Sequence, residues 1–171
     1  MRMVRETEED VRRLQELIER SFERAGPHLR SIFRPERRLS ALDLARGFTG
    51  PRQVAVATVS GRGEPRVAPV DAVLLRGRFH FGTSLASARI RHLRARPSLS
   101  LTYFESDVLA VIVHGSGTIV GLRHPEFREI EAAFLETYDG SPAGEEDPVA
   151  YVRVEPTAVF TFDRRREVEA S

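Results

Sequence analysis

Three segments rich in β-branched residues follow one another between residues 53 and 82 with only short turns between them. Gln53 to Ser60 alternates valine with alanine and threonine, the period of a strand with one buried face. Gly61-Arg62-Gly63-Glu64 reads as a turn and Pro65 to Leu75 as a second strand. Arg76-Gly77 is a tight hairpin signal, and Arg78 to Gly82 is a third strand. Turns this short cannot carry a parallel crossover, which takes about a dozen residues or more. The middle of the chain is therefore expected to be an antiparallel meander.

Three further strands are expected at Ser98 to Phe104, Val108 to Val120 and Val149 to Phe162. The second is interrupted by Gly115 and Gly117, which predicts a bend or bulge. Two helices interrupt the strands, one at Leu85 to Arg94 capped by Thr83 or Ser84, the other beginning at Pro125. Ahead of the strands, Thr7 and Asp10 resemble a capping box for a helix from Glu8 to Arg24, which Gly26-Pro27 ends. Pro27 to Arg38 reads as a basic, irregular linker, and Ser40 with Asp43 opens a short helix closed by Gly47. Six strands with so few helices do not alternate as βαβ units. The expected class is mainly β (α+β), a six-stranded antiparallel barrel with peripheral helices. Residues 1–38 form an N-terminal helical extension and 39–171 the barrel domain.

Composition narrows the chemistry. There is no cysteine in the 171 residues, which rules out disulfides, thiolate metal sites and cysteine nucleophiles. All 26 basic residues are arginine, so an anion site must use guanidinium forks, hydroxyls or backbone N–H groups, and Schiff-base lysine chemistry is ruled out. A formal charge of +1 gives no global field for nucleic acid. The N-terminus carries no apolar signal region and no run is long enough to span a membrane as a helix, so a soluble, cytoplasmic protein is expected. The five histidines show no metal-ligand spacing, and no metal is expected. His80 and His114 fall in strands, while His92 and His124 are expected at the surface.

The stretch from Phe81 to Leu93 carries the most chemistry. A strand ends there, hydroxyls cap a helix, and Ser87 and Arg89 follow. A helix start offers unpaired N–H groups and a positive dipole end, which suits a phosphate. Hydroxyls and an arginine add directed donors and a full charge. Upstream, Ala57-Thr58, the Gly61–Gly63 turn, Glu64-Pro65, Ala68 and Pro69-Val70 stand in order.

Together with that cap, the hairpin resembles the pyridoxamine-phosphate-oxidase-like family of FMN-binding split barrels. The hairpin is similar to the family's Ala-Thr, turn, Gly-x-Pro, small-residue, Pro-Val pattern. The cap is similar to its Thr-x-x-x-Ser-x-Lys, with Arg89 at the lysine. Val111 to Gly115 resembles the strand entering the family's glycine, and Tyr151 to Pro156 its final strand. The resemblance spans roughly Leu39 to Asp163. It implies a homodimer with cofactor at the subunit interface, either FMN or a deazaflavin coenzyme of the F420 type. It implies a flavin- or deazaflavin-dependent oxidoreductase acting on a small-molecule substrate. By carry-over, Val67, Ala68, Pro69 and Val70 lie along the ring, and Thr83, Ser84, Ser87 and Arg89 hold the phosphate end. Arg66, on the same strand face as Ala68, reaches the same pocket. No catalytic acid or base is assigned.

The chain departs from true pyridoxamine phosphate oxidases at Ala68, where they carry arginine, at Ala88, within their Ser-Arg-Lys, and at Ala110, where a glutamine would contact the flavin. It also lacks a counterpart of their Arg-Leu-x-Pro substrate segment. Vitamin B6 oxidation is therefore not the expected activity. Two other readings stand beside the oxidoreductase. One is a flavin-binding or stress-linked module without turnover. The other is an anion-binding surface built from Arg30, Arg34, Arg37, Arg38 and Arg164 to Arg166.

Overall fold

The computed structural model describes residues 6–136 and 149–166. Six antiparallel strands close into a barrel: β1 (Arg52–Val59), β2 (Pro65–Leu75), β3 (Arg78–Ser84), β4 (Ser98–Glu105), β5 (Leu109–Val120) and β6 (Val149–Asp163). Their order around the barrel is β1-β2-β3-β6-β5-β4, and β1 closes it by pairing with both β2 and β4. Three neighbouring pairs are joined by turns too tight to permit anything but antiparallel pairing: β1–β2, β2–β3 and β4–β5. Alternation places Val54 and Val56 inside, where they meet Leu74, Phe79, Phe81, Leu101, Val111, Val113 and Val152.

Helix α1 (Glu8–Arg24) has its capping box formed in both directions between Thr7 and Asp10. Its buried stripe of Leu14, Ile18 and Phe22 lies on β6, with Phe22 edge-on to Phe160 at 5.3 Å. Ser21 Oγ accepts the Val159 N–H at 2.9 Å, so the helix satisfies a strand donor beside an irregularity in the sheet. The segment expected as a linker is instead ordered as a short helix α2 (Pro27–Ile32) and a 3-10 turn (Pro35–Arg37). The cause is Phe33, which is buried against Phe22 and Phe162 and ties the segment to β6. Several members of the arginine clusters are engaged within the chain. Arg38 lies over the Phe22 ring, Arg164 pairs with Asp107, Arg165 with Asp163 and Arg166 with Asp43.

Helix α3 (Ala41–Gly47) is capped by Ser40 and covers one end of the barrel; helix α4 (Ala88–Ala95) lies near the other. Helix α5 (Phe127–Leu135) packs Phe127, Ile130 and Phe134 onto Tyr151, Val73 and Leu75. Among the described residues no helix is long and apolar enough to cross a membrane.

The bulge lies where the glycines placed it. His114 pairs with Ala158 and Gly115 with Pro156, so Thr157 is the extra residue, its hydroxyl donating to the His114 carbonyl. A Cβ on Gly115 would lie 2.1 Å from the Glu155 carbonyl oxygen. A Cβ on Gly117 would meet only side chains, Val152 at 2.8 Å and Leu99 at 2.9 Å. Gly115→Ala should therefore cost about 3 kcal/mol or more, since backbone must move, and Gly117→Ala only about 1–2 kcal/mol. Urea unfolding of both variants checks this order; equal losses would show that the bulge relaxes freely.

His80 is 3% exposed and donates Nδ1–H to the Arg78 carbonyl at 3.1 Å. Around it Arg153 pairs with Glu126 and Glu155, and Arg76 with Glu129 at 2.8 Å. Burial pushes the His80 pKa down to about 4. The unfolded chain therefore binds a proton at a pH where the folded protein does not. Stability should fall as pH drops from the ordinary histidine range toward about 4, by roughly 3 kcal/mol if no other group compensates. Urea unfolding at neutral pH and at about pH 5 measures the slope; His80→Gln should flatten it, and an unchanged slope would place its origin in other groups.

Candidate functional site

The β1–β2 register pairs Val56 with Ala68 and Thr58 with Arg66. These four side chains therefore share the inward face, while Val67 and Pro69 point outward. Val67 is 71% exposed, although it is a valine in the middle of a sheet. The first half of β2 is open where the second half is buried.

The other wall begins at the end of β3. That strand continues through Ser84, two residues further than its sequence suggests, because Thr83 pairs with Ala150 and Ser84 with Val149 of β6. Sheet hydrogen bonding thus claims the residues expected to cap the helix. A tight turn follows, closed by Ser87 N–H to the Ser84 carbonyl at 3.0 Å, with the Ser84 hydroxyl accepting from Ala86 N–H. Ser87 becomes the N-cap of α4, accepting the Ile90 N–H at 3.3 Å. The positive end of the helix is thereby shifted onto Ala88 and Arg89.

Between these walls lies a cleft of about 260 Å³ lined by Val56, Thr58, Arg66, Val67, Ala68, Ser87, Ala88, Arg89 and His92. Five of the nine residues expected from sequence meet there: Arg66, Val67, Ala68, Ser87 and Arg89. Thr83 adjoins them through hydrogen bonds, its hydroxyl receiving Arg89 Nη1 at 2.9 Å and lying 3.1 Å from Ser87 Oγ. Pro69, Val70 and Ser84 stand outside the lining. Pro69 is exposed on the outer face, Val70 is half-buried against the core, and Ser84 is spent on the turn.

The electrostatics centre on Arg89. Its guanidinium is half-buried, 5.8 Å from the centre of the Phe81 ring, and among the described residues no carboxylate pairs with it. Burial alone holds its pKa below the ordinary arginine value. A buried cation without a counter-ion is costly unless an anion completes it. Arg66, by contrast, is exposed and paired with Glu64 at 2.6 Å. The two wall segments, 58–68 and 86–96, carry arginines 62, 66, 89, 91, 94 and 96 against the single acid Glu64. Phosphate needs charge, directed donors and helix-end N–H groups, and all three converge here. The small Ala68 beside Val56 leaves room for a flat group to approach the strand.

His92 was expected at the surface. It is instead half-buried and lines the cleft, with Nδ1 3.0 Å from the Thr58 hydroxyl. The signal for it was available: Thr58 shares the phase of Val54 and Val56, and His92 lies one helical turn after Ala88. His114 is exposed and bonded to Ser100 at 2.8 Å, away from the cleft lining. Among the described residues no group of three histidine or acidic side chains converges as a metal site would require.

A sequence model of the pyridoxamine 5'-phosphate oxidase family matches residues 42–163. No curated protein matches. Among solved structures, conserved hypothetical protein Rv2991 from Mycobacterium tuberculosis is 21% identical with a TM-score of 0.67, covering 79% of this chain and 91% of that one. An F420 reductase is 22% identical (TM-score 0.53, covering 64% and 90%). A pyridoxamine 5'-phosphate oxidase-related, FMN-binding protein from Nostoc punctiforme is 15% identical (TM-score 0.51, covering 67% and 76%). Identities this low carry the fold alone. The family match spans the whole barrel, from within α3 to the end of β6, and the chain belongs to the pyridoxamine 5'-phosphate oxidase family of split barrels.

Proposed function

We propose that the chain binds FMN, or a close relative of it, with the phosphate at Arg89 and the ring along β2, and that it works as an oxidoreductase. The observation that carries this reading is the half-buried Arg89 guanidinium, which bonds a hydroxyl and, among the described residues, has no carboxylate to neutralise it. The bound cofactor would supply the hydride or electron transfer; the protein supplies position and field. Arg89 holds the charge, Ser87 and Thr83 orient the phosphate oxygens, and the first-turn N–H groups of α4 add donors. Ala68 keeps the strand clear for the ring, and Thr58 fixes the His92 imidazole at the cleft edge.

Under this reading a second copy of the chain covers the open half of β2. Val67 at 71% exposure and Phe104 at 60% are large apolar side chains at the surface of one protomer. A homodimer would bury them and close the cleft from above.

One observation favours a deazaflavin coenzyme over FMN. Arg66 lines the cleft beside Arg89, and Arg62, Arg91, Arg94 and Arg96 on the same two segments add positive charge beyond what a single phosphate requires. A deazaflavin coenzyme extends its phosphate with further carboxylates, which such a surplus would hold. One of the similar folds is an F420 reductase. Ala68 and Ala110 stand where pyridoxamine phosphate oxidases carry arginine and glutamine, which argues against vitamin B6 as substrate.

Absorbance titration of the purified protein with FMN and with F420 tests the proposal. At least one should saturate, and Arg89→Ala should weaken it by roughly 10- to 100-fold through the loss of a charged partner. Failure of both cofactors to bind, or binding unchanged by Arg89→Ala, would overturn it. Sedimentation should show a dimer, which Val67→Glu should dissociate. Turnover with the reduced cofactor distinguishes an enzyme from a passive carrier.

A further inference from the structure

A second cleft of about 260 Å³ lies beneath α3, at the opposite end of the barrel. Arg52, at the start of β1, is on its rim, whereas Thr58, six residues along the same strand, is in the first cleft. At about 3.3 Å per residue the two sites are roughly 20 Å apart within one protomer. They share no lining residue.

The floor of this cleft is apolar and firmly held. Leu44, Phe48 and Val111 are buried, and Leu109 closes one side. Phe48 is clamped edge-on between Phe79 at 5.1 Å and Tyr103 at 4.9 Å, so the wall is a fixed surface rather than a collapsible gap. The rim is charged, and its carboxylates are already engaged. Asp43 accepts from Ser40 and from Arg166. Asp163 uses both oxygens on Arg165. Glu105 accepts the Tyr103 hydroxyl and lies 3.7 Å from Arg165. Arg52 is different: its one bond is a 3.3 Å contact to the Gly47 carbonyl, and among the described residues no carboxylate pairs with it. Arg52 therefore keeps guanidinium donors free at the mouth of the cleft.

We infer that this cleft is a second small-molecule site, which takes an apolar-bodied carboxylate, its ring or chain on Phe48 and Leu109 and its head on Arg52. An amine of the same shape would place its charge beside Arg52 and find Asp43 and Asp163 already ion-paired. A neutral analogue would fill the floor and leave the guanidinium unmet.

Calorimetric titration of the full chain with phenylacetate and with phenethylamine tests the inference. Phenylacetate should bind saturably and phenethylamine should not. Arg52→Gln, a change at an exposed side chain, should weaken phenylacetate roughly tenfold, while Arg89→Ala should leave it unchanged. Phenethylamine binding as well as phenylacetate, no saturable binding of phenylacetate, indifference to Arg52→Gln, or loss in Arg89→Ala would each overturn the second site. Because the FMN and F420 titrations depend on Arg89 and these on Arg52, either site can fail without the other.

Discussion

Strand β1 is hydrogen-bonded along both edges, to β2 on one side and to β4 on the other, and that double pairing closes the barrel. With both edges committed, its register cannot slip without turning Val54, Val56 and Thr58 from the core to the solvent. The same register sets Ala68 opposite Val56 and Arg66 opposite Thr58. Both clefts are consequences of it. One is at the Thr58 end, under the start of α4, and the other at the Arg52 end, under α3.

Against this rigid frame the segment from Thr83 to Arg89 is a local compromise. The sheet takes Thr83 and Ser84 into β3, and the helix must begin again at Ser87. The turn between them turns the Arg89 guanidinium back onto Thr83 rather than out to water. Desolvating a cation without a partner costs stability, and proteins hold such costs where a ligand later offsets them. The other charged groups near the core show the usual alternative. Arg153 has Glu126 and Glu155, and Asp163 has Arg165. Among the described residues neither Arg38 nor Arg89 has a carboxylate partner, but Arg38 is laid over the Phe22 ring whereas Arg89 lines a cleft, and that is why the functional reading rests on Arg89.

Strand positions were legible in the sequence because period-two alternation and Gly-bearing turns report burial directly, as at Val54-Val56-Thr58 and Arg76-Gly77. The bulge was legible because no side chain fits opposite the Glu155 carbonyl at Gly115. The start of α4 was not. Thr83, Ser84 and Ser87 are all good caps by residue type, and the choice among them is made by β6, some 65 residues away. The ordering of Pro27–Arg37 was hidden for a similar reason: one phenylalanine, Phe33, anchors it to β6. His92 was legible in part: the strand phase turns the Thr58 hydroxyl inward, and tertiary packing then brings the imidazole alongside it. The second cleft was not legible at all, since α3, β1, β4, β5 and β6 each give it only a few side chains.

The most direct test of the central claim is a crystal structure of the protein with FMN or F420 bound. The account predicts phosphorus within hydrogen-bonding reach of the Arg89 guanidinium and the Ser87 hydroxyl, with the ring passing Ala68. A cofactor seated elsewhere, or a phosphate that leaves Arg89 bonded only to Thr83, would contradict it.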